Sequence, residues 1–355
     1  MENYKTSYYL GANTPKGFYS LYNEYISCPN DFFYFIKAGP GCGKSSFMKR
    51  VGRILEKKNI KAEYIYCSAD KASLDGIYFP TLNTGIVDAT APHILEPAVA
   101  GVSGSYLSLG EFYDIPRLKT VGEKIRLLNF EYKEEYKKAY NEMFSAAQLS
   151  PNSVFRSHHE LISKIEKRAN SISAREFKGI NHNGSIIKHR FLNGFSADGH
   201  TFLSETIPSI AEKIYLVDNS FGLSPIFMNT IFKSAKTLDT ELIVCLSPET
   251  PEEILHIIVP DLSLAFISQT ADNPYPYEYT RHLRLDAMVS KDILSTERYN
   301  IKNYTKVRNL LLDTALTHFK AAKKLHDEME QLYNPFVDFD GIYAYADKFA
   351  DSLIK

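Results

Sequence analysis

The first part of the chain alternates short apolar runs with one amphipathic stretch. Phe32–Ala38 (FFYFIKA) and Ala62–Cys67 (AEYIYC) predict buried strands, and Gly76–Phe79 and Gly85–Asp88 are two shorter apolar runs. Lys44–Lys58 places apolar residues at three- and four-residue intervals, which predicts a helix with one buried face. This strand–helix–strand alternation predicts an α/β domain with a parallel sheet and helices on its faces.

The pattern then becomes helical. Leu118–Leu149 and Ser157–Phe177 are rich in Lys, Glu, Tyr and Leu at helical spacing, and Ser150–Ser153 separates them. We therefore predict a long helical hairpin. Thr305–Tyr333 predicts another long amphipathic helix, the counterpart of that hairpin in the later part of the chain.

The second half of the chain repeats the first at an offset near 180 residues. The matched segments are Leu10–Gly17 with Leu192–Gly199, Phe47-Met48 with Phe227-Met228, Cys67 with Cys245, Pro80–Leu82 with Pro260–Leu262, and Gly85–Asp88 with Ala265–Ser268. We interpret this as an internal duplication. The alternative is two unrelated α/β halves that share a rhythm typical of such folds.

The strongest local signal is Ala38–Ser45 (AGPGCGKS), which fits the phosphate-binding pattern [AG]-x-x-x-x-G-K-[ST]. It follows a predicted strand and opens a predicted helix, which is the context that this motif requires. Glycines let the backbone turn its N–H groups toward phosphate oxygens, and a helix start adds unpaired N–H groups. The predicted nucleotide-binding residues are Gly39, Pro40, Gly41, Cys42, Gly43, Lys44, Ser45 and Ser46.

Three side chains are the candidates for chemistry. Lys44 would place its charge on the β- and γ-phosphates, and Ser45 would offer its hydroxyl to Mg²⁺. Asp88 is the preferred acidic partner. We predict that it is a catalytic residue together with Lys44 and a metal ligand together with Ser45. The alternative is that Asp88 is only a helix N-cap or turn residue. The rival carboxylates are Asp70 and Asp75. Ala89 stands where many hydrolytic P-loop proteins place a water-activating glutamate, so the general base is unassigned and slow turnover is expected.

Further groups are candidates near the γ-phosphate. His93 is a candidate for polarising water or sensing phosphate, although a hydrogen-bonded structural histidine is the favoured interpretation. The other candidates are the loop carboxylates Glu96 and Glu111 and the cations Arg117, Lys119 and Arg126. We interpret these three cations as helix-surface charges.

The aligned segment of the second half, 218–225 (DNSFGLSP), lacks this chemistry. Ser224 replaces the lysine, Pro225 replaces the hydroxyl donor, and Asp218 adds a carboxylate; Gly222 remains, out of register. We predict that this half binds no nucleotide and packs on the first as a degenerate partner. An arginine finger from the second half is a further hypothesis, with the candidates Arg190, Arg281 and Arg284.

Composition narrows the classes of function. The chain has 355 residues with 41 basic and 42 acidic side chains, a formal charge of −1, so no global attraction to nucleic acid is expected. The stretch Leu255–Ile267 is interrupted by Pro260 and Asp261, and a membrane span needs about 20 apolar residues. The N-terminus lacks the apolar core of a secretory signal. The four cysteines show none of the spacings that are typical of a metal site; they are Cys28, Cys42, Cys67 and Cys245. We therefore expect free thiols in a cytoplasmic protein.

With these motifs the chain resembles an uncharacterised bacterial family of tandem, duplicated P-loop ATPases. The segments that carry the resemblance are 11–18 (GANTPKGF), 39–52 (GPGCGKSSFMKRVG), 67–80 (CSADKASLDGIYFP), 85–93 (GIVDATAPH), 109–114 (LGEFYD) and 319–333 (FKAAKKLHDEMEQLY). The resemblance implies a P-loop nucleoside-triphosphatase fold with ATP as ligand, Lys44 and Ser45 as binding residues and Asp88 as the acidic partner. The family usually has a recognisable P-loop in both halves, and residues 218–225 depart from that.

Motif, repeat and resemblance together predict the fold class. It is α/β, a P-loop NTPase-type parallel sheet with flanking helices, duplicated, with long helical hairpin insertions. The predicted domains are a P-loop nucleotide-binding domain (1–113), a helical hairpin (114–178), a degenerate second P-loop-like domain (186–290) and a C-terminal helical segment that packs with the hairpin (291–355).

The leading functional hypothesis is a Mg²⁺-dependent ATPase with one competent site, whose ATP binding or hydrolysis drives a conformational change between the halves. The first alternative is a small-molecule or nucleotide kinase, and the second is a non-catalytic nucleotide-responsive binding module. A GTPase is disfavoured because the chain has no [NT]KxD string, and ABC-type transport because it has no LSGGQ-like signature. A protein or small-molecule partner stays unidentified.

Overall fold

The computed structural model describes residues 5–27, 30–149, 152–155 and 158–354, and Cys28 lies outside them. Within these residues the fold is mixed α/β, with two six-stranded, mostly parallel sheets and flanking helices, some of them long. The strands of the first half are β1 (Ser7–Tyr8), β2 (Gly11–Thr14), β3 (Gly17–Ser20), β4 (Phe32–Lys37), β5 (Glu63–Tyr66), β6 (Leu74–Phe79), β7 (Thr84–Asp88) and β8 (Gly104–Ser108). Those of the second half are β9 (Ile186–Arg190), β10 (Asn193–Ser196), β11 (Gly199–Phe202), β12 (Lys213–Asp218), β13 (Glu241–Leu246), β14 (Ile254–Val259), β15 (Leu264–Gln269) and β16 (Arg281–Leu283).

Helices lie between and after these strands. They are α1 (Tyr22–Tyr25), α2 (Lys44–Glu56), α3 (Ile115–Leu118), α4 (Gly122–Ala147), α5 (Asn152–Phe155), α6 (His159–Glu176), α7 (Thr206–Ile210), α8 (Ser224–Ala235), α9 (Lys291–Tyr333) and α10 (Phe339–Ser352). Short 3₁₀ turns occur at Pro80–Leu82, Leu109–Phe112, Lys119–Val121, Pro260–Leu262, Asp286–Met288 and Asn334–Phe336. Across the described ranges, no helix has both the length and the apolar character that crossing a membrane requires.

The first sheet has the strand order β1-β5-β6-β7-β4-β8. Its pairs are parallel except at β6, which runs antiparallel to both neighbours. The expectation of a purely parallel sheet is therefore wrong at β6, because short connections return the chain as hairpins whereas a parallel pair needs a long crossover. β4 and β7 are parallel neighbours, with Ile36 opposite Asp88. This pairing brings Asp88 to the edge of the sheet where β4 ends.

The second sheet repeats the order and the strand directions of the first. From its other end it runs β9-β13-β14-β15-β12-β16, and β14 is again the strand that is antiparallel to both neighbours. A register shift between β5 and β6 leaves Asp75 as a bulged residue, and the same shift between β13 and β14 leaves Leu255. The two halves therefore share a topology down to a local irregularity.

The halves meet just after β1 and β9. Tyr9 and Phe191 exchange backbone N–H···O bonds of 2.9 and 3.0 Å, and both side chains are buried. The β2–β3 and β10–β11 hairpins pack on each other beside them, with Asn13 Nδ2 donating to the Phe195 carbonyl at 3.0 Å. One hydrophobic cluster includes residues of both halves, so they share a core.

The two long helices that follow the first half pack on different partners. α4 runs antiparallel to α9, with the Tyr136 and Phe319 rings 5.5 Å apart and Glu135 paired with His318 at 2.7 Å. α6 instead packs on α8 beside the second sheet. The predicted hairpin within 114–178 is therefore wrong, because each helix buries its apolar face against an element of the second half.

The last helix, α10, packs on α2 of the first half. Its Phe349 and Ala350 belong to the same buried cluster as Phe47 and Met48 of α2. The predicted C-terminal segment 291–355 therefore divides into α9, which lies along α4, and α10, which completes the core of the first half. Because α6 likewise packs on α8, each half receives the last helix that follows the other half.

Shortening Phe349 tests this exchange of helices. The Phe349 ring centroid lies 4.7 Å from that of Tyr34 and 5.6 Å from that of Phe47, and the residue is 6% exposed. We expect Phe349→Ala to lower the free energy of unfolding by about 3–4 kcal/mol because it leaves a cavity. The matched control Tyr299→Ala, 77% exposed on α9, should change it by less than about 0.5 kcal/mol. Urea denaturation measures both, and equal losses would contradict the packing of α10.

A cluster of polar groups fastens the end of α6 to the second sheet. Glu176, whose side chain is 5% exposed, pairs with Lys213 and accepts hydrogen bonds from Tyr215 (2.6 Å) and Arg175 (2.9 Å). Burial by itself raises the pKa of Glu176, but these three partners together lower it to about 2. The folded protein therefore keeps Glu176 charged at a pH where an exposed glutamate is protonated.

This cluster predicts an acid-sensitive contribution to stability. The folded-state pKa of Glu176 lies below the unfolded value of about 4.3, so its contribution is present above about pH 5 and is lost toward pH 2. We expect Glu176→Gln to cost about 2 kcal/mol at pH 7 and progressively less on acidification. The control Glu134→Gln, which breaks a more exposed pair with Lys137, should cost under about 0.5 kcal/mol. Urea titrations at several pH values would refute this if the Glu176→Gln cost stayed constant.

Candidate functional site

The glycine loop lies between the end of β4 and the start of α2. Gly41 and Gly43 have φ angles of +64° and +76°, in the left-handed region that favours glycine. α2 begins at Lys44, and no described side chain caps its first turn. The start of this helix therefore presents unpaired N–H groups and the positive end of its dipole to an anion.

Lys44 is the charged centre of the site. Its Nζ lies 3.3 Å from Asp88 Oδ2 and donates to the carbonyls of Gly39 (3.0 Å) and Ala38 (3.3 Å). The two paired side chains are 16% and 11% exposed. Burial by itself lowers the pKa of Lys44, but nearby negative charge, that of Asp88 first, raises it above its usual value. Lys44 is thus charged at neutral pH and bonded to oxygens that phosphate oxygens can replace.

Asp88 is held in place by the turn that follows β7. Its Oδ1 accepts hydrogen bonds from Thr90 N (2.9 Å) and Thr90 Oγ1 (2.5 Å), while Oδ2 faces Lys44. One carboxylate oxygen of Asp88 therefore accepts the hydrogen bonds of the turn, and the other contacts Lys44. A carboxylate whose orientation is fixed in this way is preorganised for a cationic partner.

Ser45 supplies a hydroxyl oxygen at the start of α2. Its Oγ accepts a hydrogen bond from Leu74 N at 2.9 Å, which fixes the hydroxyl and leaves it a second lone pair. Hydroxyl and carboxylate oxygens are hard donors of the kind that Mg²⁺ prefers, with water and phosphate oxygens completing its shell. Ser45 and Asp88 therefore each offer an oxygen of the kind that a divalent cation binds.

A second pair of opposite charges lies beside Asp88. β6 pairs with β7 as far as Gly76 opposite Val87, and Asp75 and Asp88 are the next residues of the two strands. His93 Nε2 lies 3.1 Å from Asp75 Oδ2. The Asp75 and His93 side chains are only 7% and 5% exposed. Burial by itself raises the pKa of Asp75 and lowers that of His93, but their attraction outweighs it, so the pKa of Asp75 is lowered and that of His93 is raised. Two separate sequence candidates thus form one buried ion pair.

Residues from distant parts of the chain cover the outer side of the loop. Tyr113 accepts a hydrogen bond from Gly39 N at 2.8 Å, and the Tyr333 ring lies 5.9 Å from the Tyr113 ring. In the amide orientation that satisfies both of its polar atoms, Asn334 donates to the Gly41 carbonyl at 2.9 Å. No local sequence pattern marks these three residues as part of a site. Two of them lie at or near the ends of segments that carry the family resemblance.

The remaining sequence candidates have other contacts. Asp70 accepts from Ala72 N at 2.9 Å within its own turn and lies 3.7 Å from Lys323 of α9. Glu96 pairs with Lys37 at 2.8 Å. Glu96 is exposed, as are Glu111, Arg117, Lys119 and Arg126. The exposure of the three cations agrees with their interpretation as surface charges.

The loop before α8 is closed by its own side chains. Ser224 Oγ and Ser268 Oγ lie 2.8 Å apart, at the positions that Lys44 and Asp88 occupy in the first half. The Asn219 side chain accepts from Ser224 N at 3.0 Å, so the first N–H of α8 already has a partner. A neutral hydroxyl pair thus stands where the first half has an ion pair, and the anion-binding donor is occupied.

The arginine-finger hypothesis gains no support from the placement of its candidates. Arg190 is 5% exposed and lies over the rings of Tyr25 and Tyr8, at 4.7 and 5.7 Å from their centroids. It is therefore part of the packing between the halves. Arg281 and Arg284 are exposed on and after β16, at the opposite edge of the second sheet from β9.

Comparison with known protein families, with curated proteins and with solved structures finds no match for this chain. The site is therefore interpreted from its own geometry. An ammonium, an uncapped helix start, two carboxylates and a hydroxyl together suit a phosphate ester that is bound with a divalent cation.

Adding a methyl group at Gly41 tests how closely α9 covers the loop. A Cβ on Gly41 would lie 3.0 Å from the Cα of Glu330, whereas nothing lies within 4 Å of a Cβ on Gly101. Both glycines have positive φ, +64° and +81°, so both substitutions carry a backbone cost of about 1–2 kcal/mol. We expect Gly41→Ala to lose about 1–3 kcal/mol more than Gly101→Ala in urea denaturation. Equal losses would show that α9 does not press on the loop.

Proposed function

We propose that the chain binds ATP with Mg²⁺ at the glycine loop of its first half and hydrolyses it. The observation that carries the proposal is the buried Lys44–Asp88 pair at the uncapped start of α2. Burying opposite charges costs a fold more than apolar packing does, so such a pair is weak evidence of a stabilising role. Its position at a helix N-terminus, beside glycines of positive φ, indicates an anionic ligand.

Each group of the site has a role in this proposal. The loop amides and the start of α2 bind phosphate oxygens, and Lys44 exchanges its carbonyl partners for the β- and γ-phosphates. Ser45 and the Thr90-oriented Asp88 hold the metal ion. Bound Mg²⁺ supplies positive charge that neutralises the phosphates. Lys44 and the helix start then stabilise the negative charge that develops as the γ-phosphoryl group transfers to water.

We further propose that the halves arose by duplication and that the second has lost its site. The common strand order and the common bulge support the duplication. The replacement of Lys44 and Asp88 by Ser224 and Ser268 supports the loss. Both observations support a tandem architecture with one competent site in each chain, and the glycine loop between β4 and α2 supports its assignment to the P-loop type.

A cytoplasmic location remains part of the proposal. Cys42, Cys67 and Cys245 are free thiols, as is typical of a reducing compartment. The nucleotide is the proposed partner, and a protein or small-molecule partner is still to be identified.

Lys44→Ala tests the nucleotide site directly. We expect it to weaken Mg²⁺–ATP binding at least about tenfold, or about 1.4 kcal/mol, because a charge-assisted contact with phosphate is lost. Isothermal titration calorimetry should show one nucleotide per wild-type chain, and phosphate release should disappear in the variant. Lys57→Ala, an equal loss of charge at the exposed end of α2, should change neither. Wild-type affinity in Lys44→Ala would make the site assignment wrong.

The same measurements separate the alternatives. ATP consumption that requires an added acceptor metabolite would select a kinase. Tight ATP binding without turnover under any condition would select the non-catalytic binding module. Phosphate release without an acceptor is the result that the proposed ATPase predicts.

A further inference from the structure

The first half carries four buried or half-buried charged side chains at positions where the second half carries neutral ones. Position for position, the pairs are Lys44 and Ser224, Asp88 and Ser268, Asp75 and Leu255, and His93 and Asn273. The first pair opens α2 and α8, the second lies on β7 and β15, and the third occupies the same bulge. In the fourth pair, each backbone N–H donates to the carbonyl three residues earlier, at 2.7 and 3.3 Å. The equivalence is therefore structural as well as sequential.

The second half serves as an internal control for what the fold requires. It forms the same sheet with neutral residues at all four positions. The topology therefore does not depend on these charges. Burying charged groups also costs free energy, so a fold has no need to retain them for stability. All four occur in the half that has the glycine loop, and none occurs at the equivalent positions of the other half. This distribution associates the four residues with the loop.

Asp75 and His93 are fixed as firmly as the Lys44–Asp88 pair. The rings of Phe18 and Tyr22 lie 4.9 and 4.8 Å from the imidazole of His93, so the hairpin region of the first half packs on it. His93 Nε2 lies 3.1 Å from Asp75 Oδ2, whereas its other ring nitrogen, Nδ1, is buried with no hydrogen-bond partner among the described residues. Buried polar atoms with unused bonding capacity are costly and call for a partner or a functional reason.

We infer that Asp75, held by His93, is a positioning residue of the nucleotide site, adding the second negative charge that draws Mg²⁺ toward Asp88. This inference rests on the proposed function. Each carboxylate faces one basic side chain, since Lys44 lies 3.3 Å from Asp88 and His93 lies 3.1 Å from Asp75. When Lys44 turns to the phosphates, Asp75, one residue past the paired end of β6 with β7, keeps its negative charge near that end of β7 and favours a divalent cation there. His93 fixes the carboxylate and limits its repulsion of the phosphates.

The test converts the pair to the residues of the second half. In Asp75→Leu/His93→Asn we expect the increase in ATP affinity that Mg²⁺ produces to shrink at least about tenfold, with a similar loss of phosphate release. ATP affinity in EDTA should stay within about threefold of wild type, because the loop amides and Lys44 remain. Calorimetry with and without Mg²⁺ gives both numbers, and a thermal melt shows that the variant is folded. A merely structural role would lower both affinities together.

Two further variants complete the experiment. His282→Asn removes the histidine of a similar pair in the second half, with Asp218 at 2.6 Å, and should leave the Mg²⁺ effect unchanged. If the double variant does not fold, Asp75→Asn, which keeps the shape of the side chain, is measured in the same way. A full Mg²⁺ effect in either folded variant overturns the inference.

The outcomes separate this inference from the proposed function. If wild-type protein binds no nucleotide, or Lys44→Ala binds it equally well, the proposed function fails and the inference fails with it. If Lys44→Ala loses binding while the Asp75 variants keep the full Mg²⁺ effect, only the inference fails.

Discussion

The contact between the Lys44 ammonium and the Asp88 carboxylate, 3.3 Å long and largely buried, depends on the parallel pairing of β4 with β7. That pairing sets the end of one strand, the glycine loop and the start of α2 against the end of the other. A charge pair in such a place is stabilised by its own attraction and by fixed hydrogen bonds, here those from Thr90 to Asp88. The rest of the site is arranged around this contact: Ser45 on the same helix, and Asp75 on the adjacent strand.

The exchange of helices makes the loop a property of the whole chain. α9 has 43 residues, which corresponds to a length of about 65 Å, and its N-terminal part packs against the core of the second half. Its other end reaches the glycine loop, where Tyr333 lies beside the loop and the following Asn334 bonds to it. α10 then completes the core of the first half. Through α9, the conformation of the loop is therefore physically connected to the second sheet.

The two halves separate the requirements of topology from those of chemistry. Both build the same sheet order and the same bulge, so the β-strand pattern and the hairpin lengths suffice for the topology. In the second half a hydroxyl pair, Ser224 and Ser268, bonds at 2.8 Å where the first half has its ion pair, and Asn219 occupies the first N–H of the helix. A helix N-terminus attracts anions only while its N–H groups are free, so the second half keeps the same sheet topology although the first N–H of its helix is occupied.

β4, the glycine loop, α2 and the end of β7 at Asp88 were predictable from the sequence, because apolar periodicity and glycine placement act over a few neighbouring residues. The repeat of about 180 residues was also visible there. The antiparallel direction of β6, the pairing of α4 with α9, the docking of α10 on α2 and the contact between Asp75 and His93 became visible only in the folded chain. An amphipathic pattern specifies which face of a helix is buried and not what buries it, and a carboxylate acquires its partner only when separate strands and loops pack together.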